Sequence, residues 1–275
     1  MPDTAPQYQE SLPSERTNQL FTRDLLEVTI VFALILVALW SSPWAQKLIG
    51  IATFCWIVAA TLRSPAATTD SLGLRLSGIR RSLWIVCAAL LVAALVIWIA
   101  SRMHTLHVVL FHGFAVEASV LAYMLWALVQ QFILQDFFLV RLLRLLPTRT
   151  AAVLVAATLF AVAHLPNSFL MAVTLVWGIA ACSLFLRYRN LYSLGVAHGV
   201  MGLCLAIAIP NAVHHQMRVG LGYFRWHAPA TTSAVTGGVP HKPPVHRSQI
   251  DQMVSTDAWV MADATSRRSS RHARP

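Results

Sequence analysis

Leu83-Trp84-Ile85-Val86-Cys87-Ala88-Ala89-Leu90-Leu91-Val92-Ala93-Ala94-Leu95-Val96-Ile97-Trp98-Ile99-Ala100 is eighteen residues long and carries no charge and no proline. As a helix it spans about 27 Å at 1.5 Å per residue, close to the roughly 30 Å hydrocarbon core of a bilayer. Apolar runs of similar character flank it at residues 25–40, 48–62, 116–146, 151–164, 170–186 and 191–209. The chain of 275 residues is 57% hydrophobic and only 12% charged. A soluble domain carries about 25% charged residues, which excludes a soluble fold. The expected fold is all-α: a polytopic transmembrane helix bundle of about seven spans, with disordered termini.

Punctuation between the runs supports this division. Ser41-Ser42-Pro43 separates the first two, residues 63–82 carry Pro, Gly, Thr and four Arg, and Pro147 ends the fourth run. Pro166-Asn167 reads as a tight turn. The fourth run is ambiguous. Apolar character begins at His107, is interrupted at His112-Gly113, and continues to Leu146. Forty helical residues would measure about 60 Å, twice the core thickness. Either a short re-entrant piece precedes one long tilted helix, or two spans are present and the total is eight. Charge favours seven. One side then collects Arg16, Arg23, Arg63, Arg75, Arg80, Arg81, Arg141, Arg144, Arg149, Arg187 and Arg189, and the opposite short loops hold only Lys47 and Arg102. By the positive-inside rule the N-terminus is cytoplasmic. Eight spans would place Arg141, Arg144 and Arg149 outside.

Residues 1–24 form a polar N-terminal tail. They contain no basic n-region ahead of the first run, and no cleavage site follows it, so that run is expected to be retained. Residues 25–227 form the membrane domain. Residues 228–275 are rich in Pro, Ser, Thr, His and Arg, and bury too little apolar surface to order themselves. The net charge of +10 is explained by topology and anionic lipid headgroups, with no nucleic-acid partner. Cys55, Cys87, Cys182 and Cys204 lie in apolar segments without a CxxC pair, so neither a disulfide framework nor a thiolate metal site is expected. His214, His215, His227, His241 and His246 match no metal-ligand spacing. His104, His107 and His112 read as interfacial residues. Residues 218–223 are glycine-rich, but no strand precedes them and no Lys-Ser/Thr follows, which excludes a phosphate loop.

Polar side chains within the apolar runs are costly in lipid and mark a functional site by default. They are Gln130, Gln131 and Gln135, then His164, then His198. Gln130 lies eleven residues before Arg141, about 17 Å deep. His164 lies fifteen residues after Arg149, about 22 Å deep, and His198 nine after Arg189, about 14 Å deep. All three reach the middle of the bilayer and can converge on one cavity. Gln131 and Gln135 share a helix face, as do Phe160 and His164, and His198 and Gly202. The bland alternative is polar glue between helices.

Gln130-Gln131-Phe132-Ile133-Leu134-Gln135, Phe160-Ala161-Val162-Ala163-His164 and His198-Gly199-Val200-Met201-Gly202 together resemble the CAAX-protease and bacteriocin-processing (CPBP, or Abi) family, which includes the type II CAAX prenyl endopeptidases. That family carries Glu-Glu-x-x-x-Arg, Phe-x-x-x-His and His-x-x-x-Asn on successive membrane helices. The resemblance covers residues 123–205, and it implies a metal-free, cofactor-free endopeptidase acting on a membrane-embedded or lipidated peptide. It implies that His164 assists the attacking water, that His198 donates to the oxyanion, and that Gln130 and Gln131 line the site. It also implies a multi-pass protein of a bacterial cytoplasmic membrane. The first motif is degenerate. An amide cannot accept a proton from water as a carboxylate does. Gln135 replaces the arginine, and Gly202 offers no side chain where the family has Asn. Asp136 with Arg141 is a displaced acid–base pair, one residue too widely spaced. Glu117 lies four helical turns from Gln131, about 21 Å, too far for a direct role. Two other readings follow: an inactive pseudoprotease serving as a membrane binding or bacteriocin-immunity protein, and a haem- or metal-binding membrane protein using His164 and His198. Oligomeric state is not legible.

Overall fold

The computed structural model describes residues 14–64, 68–106 and 114–225. Among them the regular structure is helical throughout. Helix α1 spans Ser14–Leu39, α2 Pro43–Leu62 and α3 Ile79–Arg102. The fourth rod is continuous: α4 (Phe114–Phe132), a π-helical segment (Ile133–Leu139) and α5 (Val140–Leu145). Helices α6 (Arg149–Val162), α7 (Ser168–Tyr188) and α8 (Leu191–Ala208) follow. Two short helices, α9 (Asn211–His214) and α10 (Gly220–Phe224), complete the described chain. Among the described residues five segments are long and apolar enough to cross a membrane: Pro43–Leu62, Ile79–Arg102, Val120–Leu145, Ser168–Tyr188 and Leu191–Ala208.

Three boundaries differ from the sequence reading. Helix α1 begins at Ser14, so residues 14–24 of the expected tail are helical. Within this stretch Asp24 is held by Arg144 of the fourth rod, and Arg23 pairs with Glu27 one turn on in α1. Helix α3 begins at Ile79, because the expected loop is shortened by a 3-10 turn at Leu76–Gly78. The ambiguous fourth run forms one rod between Phe114 and Leu145. His107, His112 and the tail histidines 227, 241 and 246 lie outside the described residues, as does the side chain of Glu117. His104 is exposed at the end of α3.

Polar contacts tie the helices together at the basic end of the bundle. At the basic end, Asp24 of α1 takes two bonds from Arg144 (2.6 and 2.8 Å), and Glu27 takes two from Arg141 (2.6 and 2.7 Å). The start of α1 therefore lies beside the end of α5, and their arginines share a side. The loop before α3 is tied to the α7–α8 turn. Leu191 N–H donates to Gly73 O (2.9 Å), and Asn190 Nδ2 donates to Arg75 O (3.3 Å). Gly73 has φ +64°, and a Cβ there would meet Arg189 O at 2.9 Å; only glycine accepts both conditions.

Helices α3 and α8 run parallel, joined by Ser82 Oγ to Ser193 Oγ (2.8 Å) and Cys204 Sγ to Ala93 O (3.5 Å). Helices α4 and α8 run antiparallel and close. Gly195, Gly199 and Gly202 face Leu128, Met124 and Tyr123. Small residues let backbones approach where lipid supplies no hydrophobic drive between helices. A Cβ at Gly178 would stand 3.1 Å from Ala157, so α7 and α6 are close in the same way.

Candidate active site

Helix α6 has 14 residues, about 21 Å, shorter than the hydrocarbon core. Thr148 caps its start by accepting from Ala151 N–H (3.1 Å). His164 stands just beyond its C-terminus, in a turn holding the cis Leu165–Pro166 bond. It is therefore a turn residue, whereas the sequence placed it inside the helical run. Asn167 then starts α7. Its Oδ1 accepts from Leu170 N–H (3.1 Å), and its Nδ2 donates to His214 O (2.8 Å) and Arg218 O (3.2 Å). Gly220 N–H donates to Leu165 O (2.7 Å). Residues 214–220 thus cover the turn that α6 ends too early to carry to the far end of the bundle.

Three elements bring the predicted residues together. Gln135 Nε2 donates to Gln131 Oε1 (3.1 Å), and Gln131 Nε2 meets His198 Nδ1 (2.9 Å). Both glutamines are fully buried. Phe160 lies between the histidines, its ring centroid 4.9 Å from that of His164 and 5.9 Å from that of His198. His164 Nδ1 contacts Phe160 O at 2.7 Å. Gln130 makes no side-chain hydrogen bond among the described residues, so Gln131 and Gln135, with the two histidines, form the connected set.

The partners decide where each imidazole carries its proton. An amide nitrogen only donates, so His198 Nδ1 accepts and its proton sits on Nε2. A carbonyl only accepts, so His164 Nδ1–H donates and its Nε2 lone pair is bare. Neither Nε2 has a hydrogen-bond partner among the described residues. The site thus holds one free proton acceptor and one free N–H donor, on two rings separated by Phe160.

The π-helical segment begins two residues after Gln131 and contains Gln135, in a conformation that recurs at functional sites. It buries Asp136, whose two carboxylate oxygens have no hydrogen-bond partner among the described residues. The displaced Asp136–Arg141 pair is not made. Arg141 turns to Glu27, donates to Phe137 O (3.2 Å) and stacks on the Phe137 ring at 3.8 Å. The acid on α1 is closer in space than the one five residues away in sequence. Asp136 bonds neither histidine.

Two residues went unnoticed in the sequence. Trp177 of α7 sits 5.8 Å from the His198 ring. Tyr123 of α4 fills the place of a side chain at Gly202: a Cβ there would stand 2.9 Å from Tyr123 Cζ and 3.1 Å from Cε1, with the hydroxyl closer still. The absence of the family's Asn is thereby matched by an aromatic ring from the neighbouring helix. Helical spacing alone marks neither residue, because each comes from a different rod.

A family profile described as type II CAAX prenyl endopeptidase Rce1-like matches residues 73–204. That segment, just under half of the chain, is similar to the Rce1-like family. The match begins at the glycine of the loop before α3 and ends in α8, so it includes all three polar motifs. The profile match agrees with the resemblance read from those motifs. No curated protein and no solved structure matches the chain.

Proposed function

We propose that this Rce1-like chain is an intramembrane endopeptidase that cleaves a membrane-associated peptide, with His164 assisting water attack and His198 stabilising the oxyanion. The observation that supports this is the opposite protonation of the two rings. Water oxygen attacks the scissile carbonyl carbon while its proton passes to the bare Nε2 of His164. The carbonyl oxygen becomes an anion beside His198 Nε2–H, a donor held in place by the buried Gln131–Gln135 chain. Collapse of the intermediate breaks the C–N bond, and the amine leaves with the proton held by His164. Gln131 orients His198, and Gln130 lines the same rod. The charge asymmetry of the loops supports a cytoplasmic N-terminus in a bacterial cytoplasmic membrane.

Cleavage of a membrane-anchored peptide library by detergent-purified wild type and His164→Ala tests the proposal. Loss of cleavage in the variant is expected, and equal background cleavage in both sinks the proposal. One observation favours a second reading, an inactive peptide-binding relative: among the described residues no carboxylate bonds either histidine. The double variant Gln130→Glu/Gln131→Glu separates the two. Activity that appears only in the variant marks a decayed site, whereas activity lost from the wild type marks a site built around amides.

A further inference from the structure

Trp177 carries a buried indole N–H that has no hydrogen-bond partner among the described residues. The indole nitrogen only donates, and a buried tryptophan normally finds an acceptor for it. Leaving such a donor unpaired is costly. The cost is local to the site: the Trp177 ring lies 5.8 Å from His198 at a tilt of 46°. His198 Nε2–H is likewise free, because Gln131 holds the opposite ring nitrogen. Two donors without acceptors therefore stand side by side at mid-helix positions of α7 and α8. Oxyanion stabilisation ordinarily uses more than one donor. The alternative position, four residues beyond His198, is closed by the Tyr123 ring against Gly202.

We propose that Trp177 is a second carbonyl-binding donor of this site, its indole N–H engaging the scissile carbonyl oxygen of the bound peptide together with His198 Nε2–H. The inference rests on reading the site as a peptide site, whether or not that peptide is cut. The acceptor class follows from the chemistry. Two neutral N–H groups in an apolar surround suit a neutral carbonyl oxygen that can take on charge, and offer nothing to a cation.

The test uses two fluorescent probes binding the full-length protein in detergent micelles. One is an S-farnesylated tetrapeptide of CAAX form. The other is its E-alkene isostere, which keeps the shape of the scissile amide and lacks the carbonyl. Trp177→Phe removes the N–H and keeps an aromatic ring. It is expected to weaken the amide probe about fivefold to tenfold and leave the isostere within about twofold. Where cleavage is measurable, kcat falls on the order of a hundredfold with a smaller change in KM. Benzothienylalanine at position 177 replaces N–H by sulfur at nearly unchanged ring size, and it is expected to behave as Phe does even if the smaller ring perturbs packing. Equal weakening of both probes, unchanged binding of both, or no binding of either probe to wild type overturns the proposal. Absent cleavage with carbonyl-selective binding overturns the endopeptidase reading alone.

Discussion

His198 donates from Nε2 only while something else donates to its Nδ1, and that dependence gives Gln131 a specific role. Its amide nitrogen meets Nδ1 at 2.9 Å, and its oxygen is held by Gln135 at 3.1 Å, so the amide cannot rotate without breaking a buried bond. Hydrogen-bond partners that orient a metal-bound imidazole typically matter about 10- to 100-fold, and a comparable factor is expected for an imidazole that serves as a donor. Gln131→Leu is expected to lower kcat by about that factor with little change in KM. Steady-state kinetics on a membrane-anchored peptide decides it; a loss confined to KM would mean that Gln131 serves binding instead. This reading also changes what the first motif means. As replacements for acids, the glutamines looked like losses. As a hydrogen-bonded chain, Gln135 and Gln131 set a tautomer that a carboxylate at position 131 would oppose, since a carboxylate accepts from Nδ1.

At the scale of elements, the contact between α4 and α8 holds the glutamine chain against His198. Gly199 lies opposite Met124 and Ala127, and a Cβ there would meet the Met124 thioether at once. Met124 is flexible and can yield to a methyl group, but not to a larger branched chain. Gly199→Leu is therefore expected to force the helices apart, cost about 1–3 kcal/mol, and separate Gln131 from His198. Thermal unfolding in detergent reads the first effect, and peptide cleavage reads the second. A variant that melts earlier but cleaves normally would show that the site does not depend on this contact. The short α6 has a related consequence. Its early end places His164 in a turn, covered by His214, Arg218 and Gly220 through Asn167 and Leu165.

Across the whole molecule, the acids of α1 bind the fourth rod at the basic end. Arg141 is 4% and Glu27 13% exposed at the side chain, so the pair is largely withdrawn from water. Removing one member of a buried pair leaves an uncompensated charge and costs about 3–5 kcal/mol, whereas replacing both with apolar residues is often neutral. Arg141→Met is thus expected to destabilise strongly, and Glu27→Leu/Arg141→Met to recover most of the loss. A double-mutant cycle followed by chemical or thermal unfolding checks this; equal instability of single and double variants would assign the effect to Arg141 stacking on Phe137 instead.

Much of this was legible from the chain. Apolar run length and the positions of Pro43, Pro147 and Pro166 dictated helices and turns, because lipid leaves a backbone little alternative to internal hydrogen bonding. Gln130, Gln131, Gln135, His164 and His198 stood out in the sequence, because each is costly where it stands and helical rise sets its depth. Spacing could not reveal which groups meet across helices. That Arg141 binds Glu27 rather than Asp136, that Tyr123 fills the place beside Gly202, and that Trp177 stands at His198 are outcomes of packing between rods distant in sequence. The protonation of each histidine belongs to the same class. A ring nitrogen takes its role from the atom opposite it, and only the tertiary structure decides which atom that is.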